Sequence, residues 1–113
     1  MAFSNEKLSD IVVVSAASTT DIVTVADNKK VFIKTIIAHN TSGVTTATSQ
    51  VYVVPNGGSV ADSTRLFDVT VEPSETVLIE PSFPIVLDAT GDKISVGAKT
   101  ATINTLVTGD KEA

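Results

Sequence analysis

Short runs of β-branched residues, separated by turn-forming residues, constrain this chain more than any other feature of its sequence. Val, Ile and Thr pack well on a pleated surface and lose more side-chain freedom in a helix, so each run predicts a strand. No segment has a convincing helical period. The runs therefore predict an all-β fold, an antiparallel sandwich or a barrel of eight or nine strands. They cover residues 11–17, 21–25, 30–40, 46–54, 65–71, 76–80, 85–87, 93–98 and 101–108.

The third run, 30–40, carries apolar residues on both of its faces. Val31, Ile33 and Ile37 share one parity, whereas Phe32 and Ile36 share the other. Apolar residues on both parities indicate a central strand that is covered on both sides over part of its length. We expect that a neighbouring subunit could supply part of this covering.

Three segments lie outside the regular pattern. Residues 1–10 are polar with isolated apolar residues, and we expect an N-terminal arm that becomes ordered on binding, with at most one helical turn near its centre. The sandwich domain is predicted over 11–109, followed by a charged tail over 110–113. The prolines of segment 81–84 predict a crossing from one sheet to the other.

Composition excludes several classes of function. A chain of 113 residues without Cys fits one domain and has neither disulfides nor thiolate metal sites. The net charge of -5 and the scattered Lys residues argue against binding to nucleic acid. No apolar run approaches the roughly 20 residues that span a bilayer, and no signal peptide is recognisable, so we expect a protein made in a cytoplasm.

Candidate catalytic residues are few. His39 is the single histidine, and no Ser lies in a nucleophile-elbow motif. Asp88 and Asp92 flank a glycine turn and could contribute oxygens to a Ca²⁺ site, but their spacing does not match the known helix-loop-helix pattern. The simpler interpretation is that Asp88 forms a turn and Asp92 begins a strand. We expect no enzyme activity, no cofactor and no metal.

An uncharged stretch at 41–50 draws attention to the surface. Free monomers usually protect their sheet edges with charge, so this stretch is either a contact with another protein or a neutral, solvated hairpin. Together with the apolar residues of the N-terminal segment, it supplies the candidate interface residues. These are Phe3, Leu8, Thr41, Val44, Thr46, Thr48, Gln50 and Tyr52.

The order of these strands and turns also carries a family resemblance. A short strand leads into a long one that ends in NTSG, over residues 19–43, and a further strand ends near 51–54. Later, an apolar strand at 75–79, the segment GDKISV within 87–96, and the ending 103–109 complete the pattern. In this pattern the chain resembles small virion proteins of tailed bacteriophages.

The resemblance implies a jelly-roll or immunoglobulin-like sandwich without catalytic residues. It also implies a head decoration (cement) protein on the outer capsid surface, which bridges major capsid protein subunits and is often a homotrimer. In such a protein we expect residues 1–10 to be the arm that contacts the capsid and residues 41–50 to form the subunit contact. A neck, tail or fibre component of the virion is the alternative. Two other classes remain: a carbohydrate-binding module, which would need exposed aromatic rings, and a small hydrolase built on His39, Asp88 and Asp92.

Overall fold

The computed structural model describes residues 3–26 and 29–112 of the chain. The described residues form ten strands and a single turn of 3-10 helix at Asp62–Thr64. The strands are β1 (Phe3–Lys7), β2 (Val12–Val14), β3 (Ser18–Thr24), β4 (Val31–Asn40), β5 (Ala47–Val54), β6 (Arg65–Val71), β7 (Thr76–Ile79), β8 (Ile85–Leu87), β9 (Lys93–Lys99) and β10 (Ile103–Glu112).

The strands form two antiparallel sheets. In sheet I, β10 and β4 lie at the centre, β1 and β2 both pair with β10, and β7 and β8 both pair with β4. Each edge of sheet I is therefore shared by two short strands. Sheet II has the order β3-β9-β5-β6. The predicted all-β antiparallel sandwich is thus confirmed, with its ten strands in eight positions.

The pairing of the strands identifies the topology. The first half of the chain pairs with the second half as one long folded hairpin: β2 with β10, β3 with β9, β4 with β7 and β8, and β5 with β6. Two further pairs, β10 with β4 and β9 with β5, roll this hairpin into two layers. That arrangement is a jelly roll, one of the two sandwich types that the resemblance implied.

The space between the sheets holds an aliphatic core. Side chains of β10 alternate, with Ile103, Thr105 and Val107 buried and the residues between them half-buried. Burying one Val or Ile side chain contributes about 1.5–3 kcal/mol, so a core without Trp is still sufficient for a domain of this size. The largest fully buried apolar residues are Ile33, Ile36, Leu87, Ile94, Ile103, Val14, Val51, Val54, Val71, Val96 and Val107.

A bulge in β4 explains why this strand is apolar on both parities. Thr108 of β10 pairs with Thr35 and Gly109 pairs with Ile33, so Lys34 is an extra residue. An extra residue reverses the alternation of side chains along a strand. Val31 and Ile33 on one side of the bulge, and Ile36, Ala38 and Asn40 on the other, are consequently all buried.

The two ends of the described chain belong to sheet I. Phe3–Lys7, expected within an arm over 1–10, pair as β1 with residues 112–108 of β10. β10 itself continues to Glu112, so residues 110–112 of the segment 110–113, which we expected to be a charged tail, belong to a strand. Glu112 fits in a strand because its carboxylate accepts a hydrogen bond from the Lys30 amide at 3.1 Å. Met1, Ala2 and Ala113 lie outside the described residues.

The prediction of a sheet crossing at 81–84 was wrong. β7 and β8 pair with the same strand, β4, on either side of its bulge. The prolines interrupt an edge strand, because an edge is where a missing donor is tolerated. The segment leaves the edge of sheet I and returns to it, and Phe83 within it is 84% exposed.

Candidate interaction surfaces

The solvent side of sheet I carries a cluster of apolar side chains that we call the apolar face. Ile11 and Val13, at one edge, are 65% and 60% exposed, and Leu78, at the other edge, is 56% exposed. Ile37 and Leu106 lie between them on the two central strands and are half-buried. The reversed alternation after the β4 bulge is what turns Ile37 to the outside.

The register places these side chains next to one another. Leu106 pairs with Ile37, and Ile37 pairs with Leu78, so the three form a row across β10, β4 and β7. Directly opposed residues in a sheet have Cβ atoms about 4.5–5.5 Å apart, which lets such side chains contact. Beside this row lies a shallow depression of about 220 Å³, lined by Ile11, Ile37, His39, Asn104, Thr105 and Leu106.

The strand segments that form the apolar face carry no formal charge. Strands β2 and β7, with residues 35–40 of β4 and 103–108 of β10, contain no Asp, Glu, Lys or Arg. His39 is the titratable residue of this region, and its Nδ1 lies 2.9 Å from Thr76 Oγ1. Lys34, the extra residue of the bulge, forms an ion pair with Asp110 at 2.9 Å outside this region. This half of sheet I therefore offers apolar and neutral polar groups.

The solvent side of sheet II has a different character. Asp21 of β3 accepts a hydrogen bond from Ser95 Oγ at 2.5 Å and forms an ion pair with Lys93 Nζ at 3.2 Å. The hydrogen bond from Ser95, with the charge of Lys93, holds the pKa of Asp21 below its ordinary value, although burial opposes this. Arg65 of β6 pairs with the Asp62 carboxylate at 3.1 Å. The solvent side of sheet II therefore carries charged side chains, unlike the uncharged half of sheet I.

The uncharged stretch 41–50 begins in a loop whose polar groups bond to one another. Asn40 is fully buried, and its Nδ2 donates to Thr45 O at 2.8 Å and to Val71 O at 3.0 Å. Its Oδ1 accepts from the Ser42 amide at 2.9 Å. Ser42 Oγ in turn accepts from the amides of Val44 and Thr45 at 3.2 and 2.9 Å. Many of the neutral polar groups of this loop therefore form hydrogen bonds that fix its conformation.

Three of the predicted interface residues lie in this loop. Thr41 is exposed, and its Oγ1 donates to Thr102 O at 3.0 Å. Thr46 Oγ1 is 3.2 Å from Glu72 Oε2 and donates to that carboxylate. Val44 is 89% exposed, which makes it the most exposed large apolar residue of the described side chains. Of these three residues, Val44 is the one that exposes an apolar side chain to solvent.

The remaining predicted interface residues are dispersed. Thr48, Gln50 and Tyr52 alternate along the outer side of β5, but Tyr52 is only 7% exposed. Its ring lies over Gly97, because a Cβ built there would be 3.6 Å from Tyr52 Cε1. Leu8 is half-buried and packs against the core. The side chain of Phe3 lies outside what the structure describes.

The candidate catalytic residues lie in separate places. Asp92 Oδ1 accepts from the Asn56 amide at 3.1 Å and Oδ2 accepts from the Ala89 amide at 3.2 Å, so its carboxylate joins two loops. His39 lies on sheet I, and Asp88 is exposed after β8. In the described part of the chain, no three His, Cys, Asp or Glu side chains are grouped as a metal ion would require. No helix among those residues is long and apolar enough to span a membrane.

Of the residues of the apolar face, the sequence analysis singled out only Ile37. The signal was present as the apolar residues of β4 on both parities, together with uncharged runs at 11–14, 76–79 and 103–108. Each run is short, and their common location depends on pairings between distant parts of the chain.

The fold and its surfaces define a jelly-roll domain with one apolar, uncharged half-face. No protein-family model matches the sequence, and no curated protein matches it either. A Bacillus endospore appendage, from a novel family of disulfide-linked pili, is a similar solved structure, with 12% identity and a TM-score of 0.46 over 97% of this chain and 90% of that one.

A second similar structure is the VP2 subviral particle of infectious bursal disease virus. It has 9% identity and a TM-score of 0.46 over 97% of this chain, which spans 32% of the VP2 chain. At these identities and TM-scores, neither structure carries an argument about function. The assignment of the fold rests on the strand order described above.

Proposed function

We propose that this chain is a non-enzymatic structural protein of a virion, which binds other protein subunits through its outer surface. The observation that carries the proposal is the apolar face. Five of the eight exposed large apolar side chains in the described part of the chain lie on this face or on the adjoining β7–β8 edge. Contiguous exposed apolar surface on a small domain marks an interaction site. The five are Ile11, Val13, Leu78, Phe83 and Val86.

Within this class, the proposed role is that of a head decoration protein on the outer capsid surface, where it bridges major capsid protein subunits. The resemblance of segments 19–43 and 87–96 to virion proteins of tailed bacteriophages supports this choice. Packed DNA pushes a capsid outward, and a bridging protein resists separation of the subunits. The contribution of such a protein comes from interface area and needs no reactive group.

The proposed capsid contact is the loop between β4 and β5. Its backbone is fixed by the hydrogen bonds of Asn40 and Ser42, while Val44 at its tip is 89% exposed. A rigid loop with an exposed apolar residue loses little conformational freedom on binding. We place the contact with the capsid there, at the end of β5 opposite to the loop that contains Val60.

Binding to capsids tests this proposal. Purified protein is added to heads that lack it, and the bound fraction is measured by sedimentation and located by cryo-electron microscopy. We expect Val44→Asp to weaken binding at least about tenfold, because a carboxylate would be placed in an apolar contact, equivalent to about 1.4 kcal/mol. Val60→Asp, in the exposed loop at the other end of β5, is the matched control and should bind as the wild type does.

Three outcomes would contradict the proposal at different levels. Density at the neck, tail or fibre would replace the decoration role by the alternative position in the virion. Equal binding by the Val44→Asp and wild-type proteins would remove the loop as the contact. If the wild-type protein bound to no part of the virion, the structural role itself would fail.

A further inference from the structure

The geometry points to a second copy of this chain as the partner that covers the apolar face, in a face-to-face pair related by a two-fold axis. The inference rests on the proposed function, because it names the partner of the same apolar face. It differs from the homotrimer that the sequence resemblance implies. It also separates two tasks: the apolar face joins two copies, and the β4–β5 loop remains available for the capsid.

The absence of charge on the apolar face favours an identical partner. A partner chosen by electrostatic complementarity would need charges to match, and none lies on β2, on β7 or in the adjoining halves of β4 and β10. The chain as a whole carries a net charge of -5, so two copies repel each other through their remaining surfaces. The uncharged half of sheet I is a surface where two copies approach without placing like charges in contact.

The arrangement of the side chains suits a two-fold axis. The row Leu106–Ile37–Leu78 has Ile37 at its centre, on β4. An axis that lies in the interface, runs along β4 and passes near Ile37 brings Ile37 against its own copy and Leu78 against Leu106. Two sheets that pack in this way lie about 10 Å apart and cross at about 30° because of their twist. An interface of this kind uses the same patch on both subunits.

The area available agrees with a pair of modest stability. Sheet I has four strand positions, and its longest strands have ten residues. With strands about 4.8 Å apart and a rise of about 3.3 Å per residue, the uncharged half, about six residues long across these four positions, covers about 400 Å². Two copies would bury about 800 Å² in total through it, which is below the range of stable interfaces and typical of weak, transient ones. We therefore expect a reversible, concentration-dependent dimer.

Analytical ultracentrifugation over a range of concentrations tests the pair. The wild-type protein should pass from monomer to dimer, and Leu78→Lys should raise the dissociation constant at least about tenfold, because it buries an unpaired charge at the interface. Thr70→Lys is the matched control, since Thr70 is an exposed residue of the edge strand β6 in sheet II. Thermal unfolding verifies that both variants are folded. A protein that stays monomeric, or a dimer equally sensitive to both variants, would overturn the inference.

Cross-linking tests the two-fold geometry separately. Because the chain contains no Cys, a single introduced Cys is the only thiol in the protein. Ile37→Cys, near the proposed axis, should give covalent dimers with a short bis-maleimide reagent, whereas Thr48→Cys, on the outer side of the central strand β5, should not. Absence of covalent dimers from Ile37→Cys, or equal cross-linking of both variants, would refute the pair. These results do not involve capsids, so failure of the pair and failure of capsid binding are distinguishable.

Discussion

Asp21 illustrates how single residues determine the polar side of sheet II. Its carboxylate joins β3 to β9 through Ser95 and Lys93, and Ser95 is fully buried. A hydrogen bond and a nearby cation both favour the charged form of a carboxyl, so the pKa is lowered in the folded state. The interaction therefore adds stability wherever Asp21 is ionised.

Asp21→Asn tests this contribution and its pH dependence. The folded pKa of Asp21 lies below its unfolded value of about 3.9, so the stabilisation is complete above that pH and is lost as the pH falls through the folded pKa. The Asp21 side chain is 51% exposed, and we expect a loss of about 0.5–1 kcal/mol at pH 7. Urea unfolding at several pH values should show the difference between the two proteins shrinking below about pH 4. A constant difference down to about pH 2 would contradict the prediction.

At the level of elements, the bulge between β4 and β10 determines which side chains reach the apolar face. Gly109 lies at this bulge, and a Cβ at this position would overlap the carbonyl oxygen of Phe32. Since the clash is with backbone, the strands themselves would have to move apart. The register beyond the bulge, and with it the outward position of Ile37, depends on this close approach.

Gly109→Ala should therefore destabilise the protein by about 2–3 kcal/mol, as overpacking of a rigid site does. Gly43→Ala is the control, because the nearest atom to a Cβ there is Ser74 Oγ at 4.0 Å. Chemical unfolding of both variants measures the effect. Equal stability of the two variants would show that the bulge adjusts to a methyl group without cost.

Much of the element structure could be predicted from the sequence. Strands β4 to β9 begin and end within one residue of the predicted runs, because β-branched runs and Gly, Pro and Asn turns are local signals. The N-terminal strand was not predicted, because the mostly polar residues 3–7 carry no local strand signal. They form a strand because they pair with β10. The bulge at Lys34 was missed for a similar reason, because its cause is the partner strand.

The candidate surfaces were less predictable than the strands. Val44 and Tyr52 were both predicted as interface residues, yet Val44 is 89% exposed whereas Tyr52 is 7% exposed. A pattern of alternating residues does not reveal that Tyr52 lies over a glycine of the neighbouring strand. The apolar face draws its residues from β2, β4, β7 and β10, and no local pattern brings those strands together.

At the level of the whole molecule, nested pairing makes folding a long-range process. Val14 pairs with Ile103 and Ser18 pairs with Ala98. The N-terminal strands can therefore form their ladders only when the C-terminal strands pair with them. Folds dominated by such distant pairings fold in milliseconds to seconds. We expect refolding to take milliseconds to seconds. Stopped-flow fluorescence of Tyr52, the only Tyr in a chain without Trp, can monitor it. Refolding within microseconds would contradict this topology.

The same nesting leaves Phe3 directly opposite Glu112 in the ladder between β1 and β10. A short peptide could therefore join these two positions and close the backbone into a ring without disturbing either sheet. New ends could then be opened at the exposed turn of Asn56 and Gly57, far along the chain from the old ones. Circularised or permuted forms would present a fused peptide at a chosen end of the sandwich, which makes this small scaffold suitable for display.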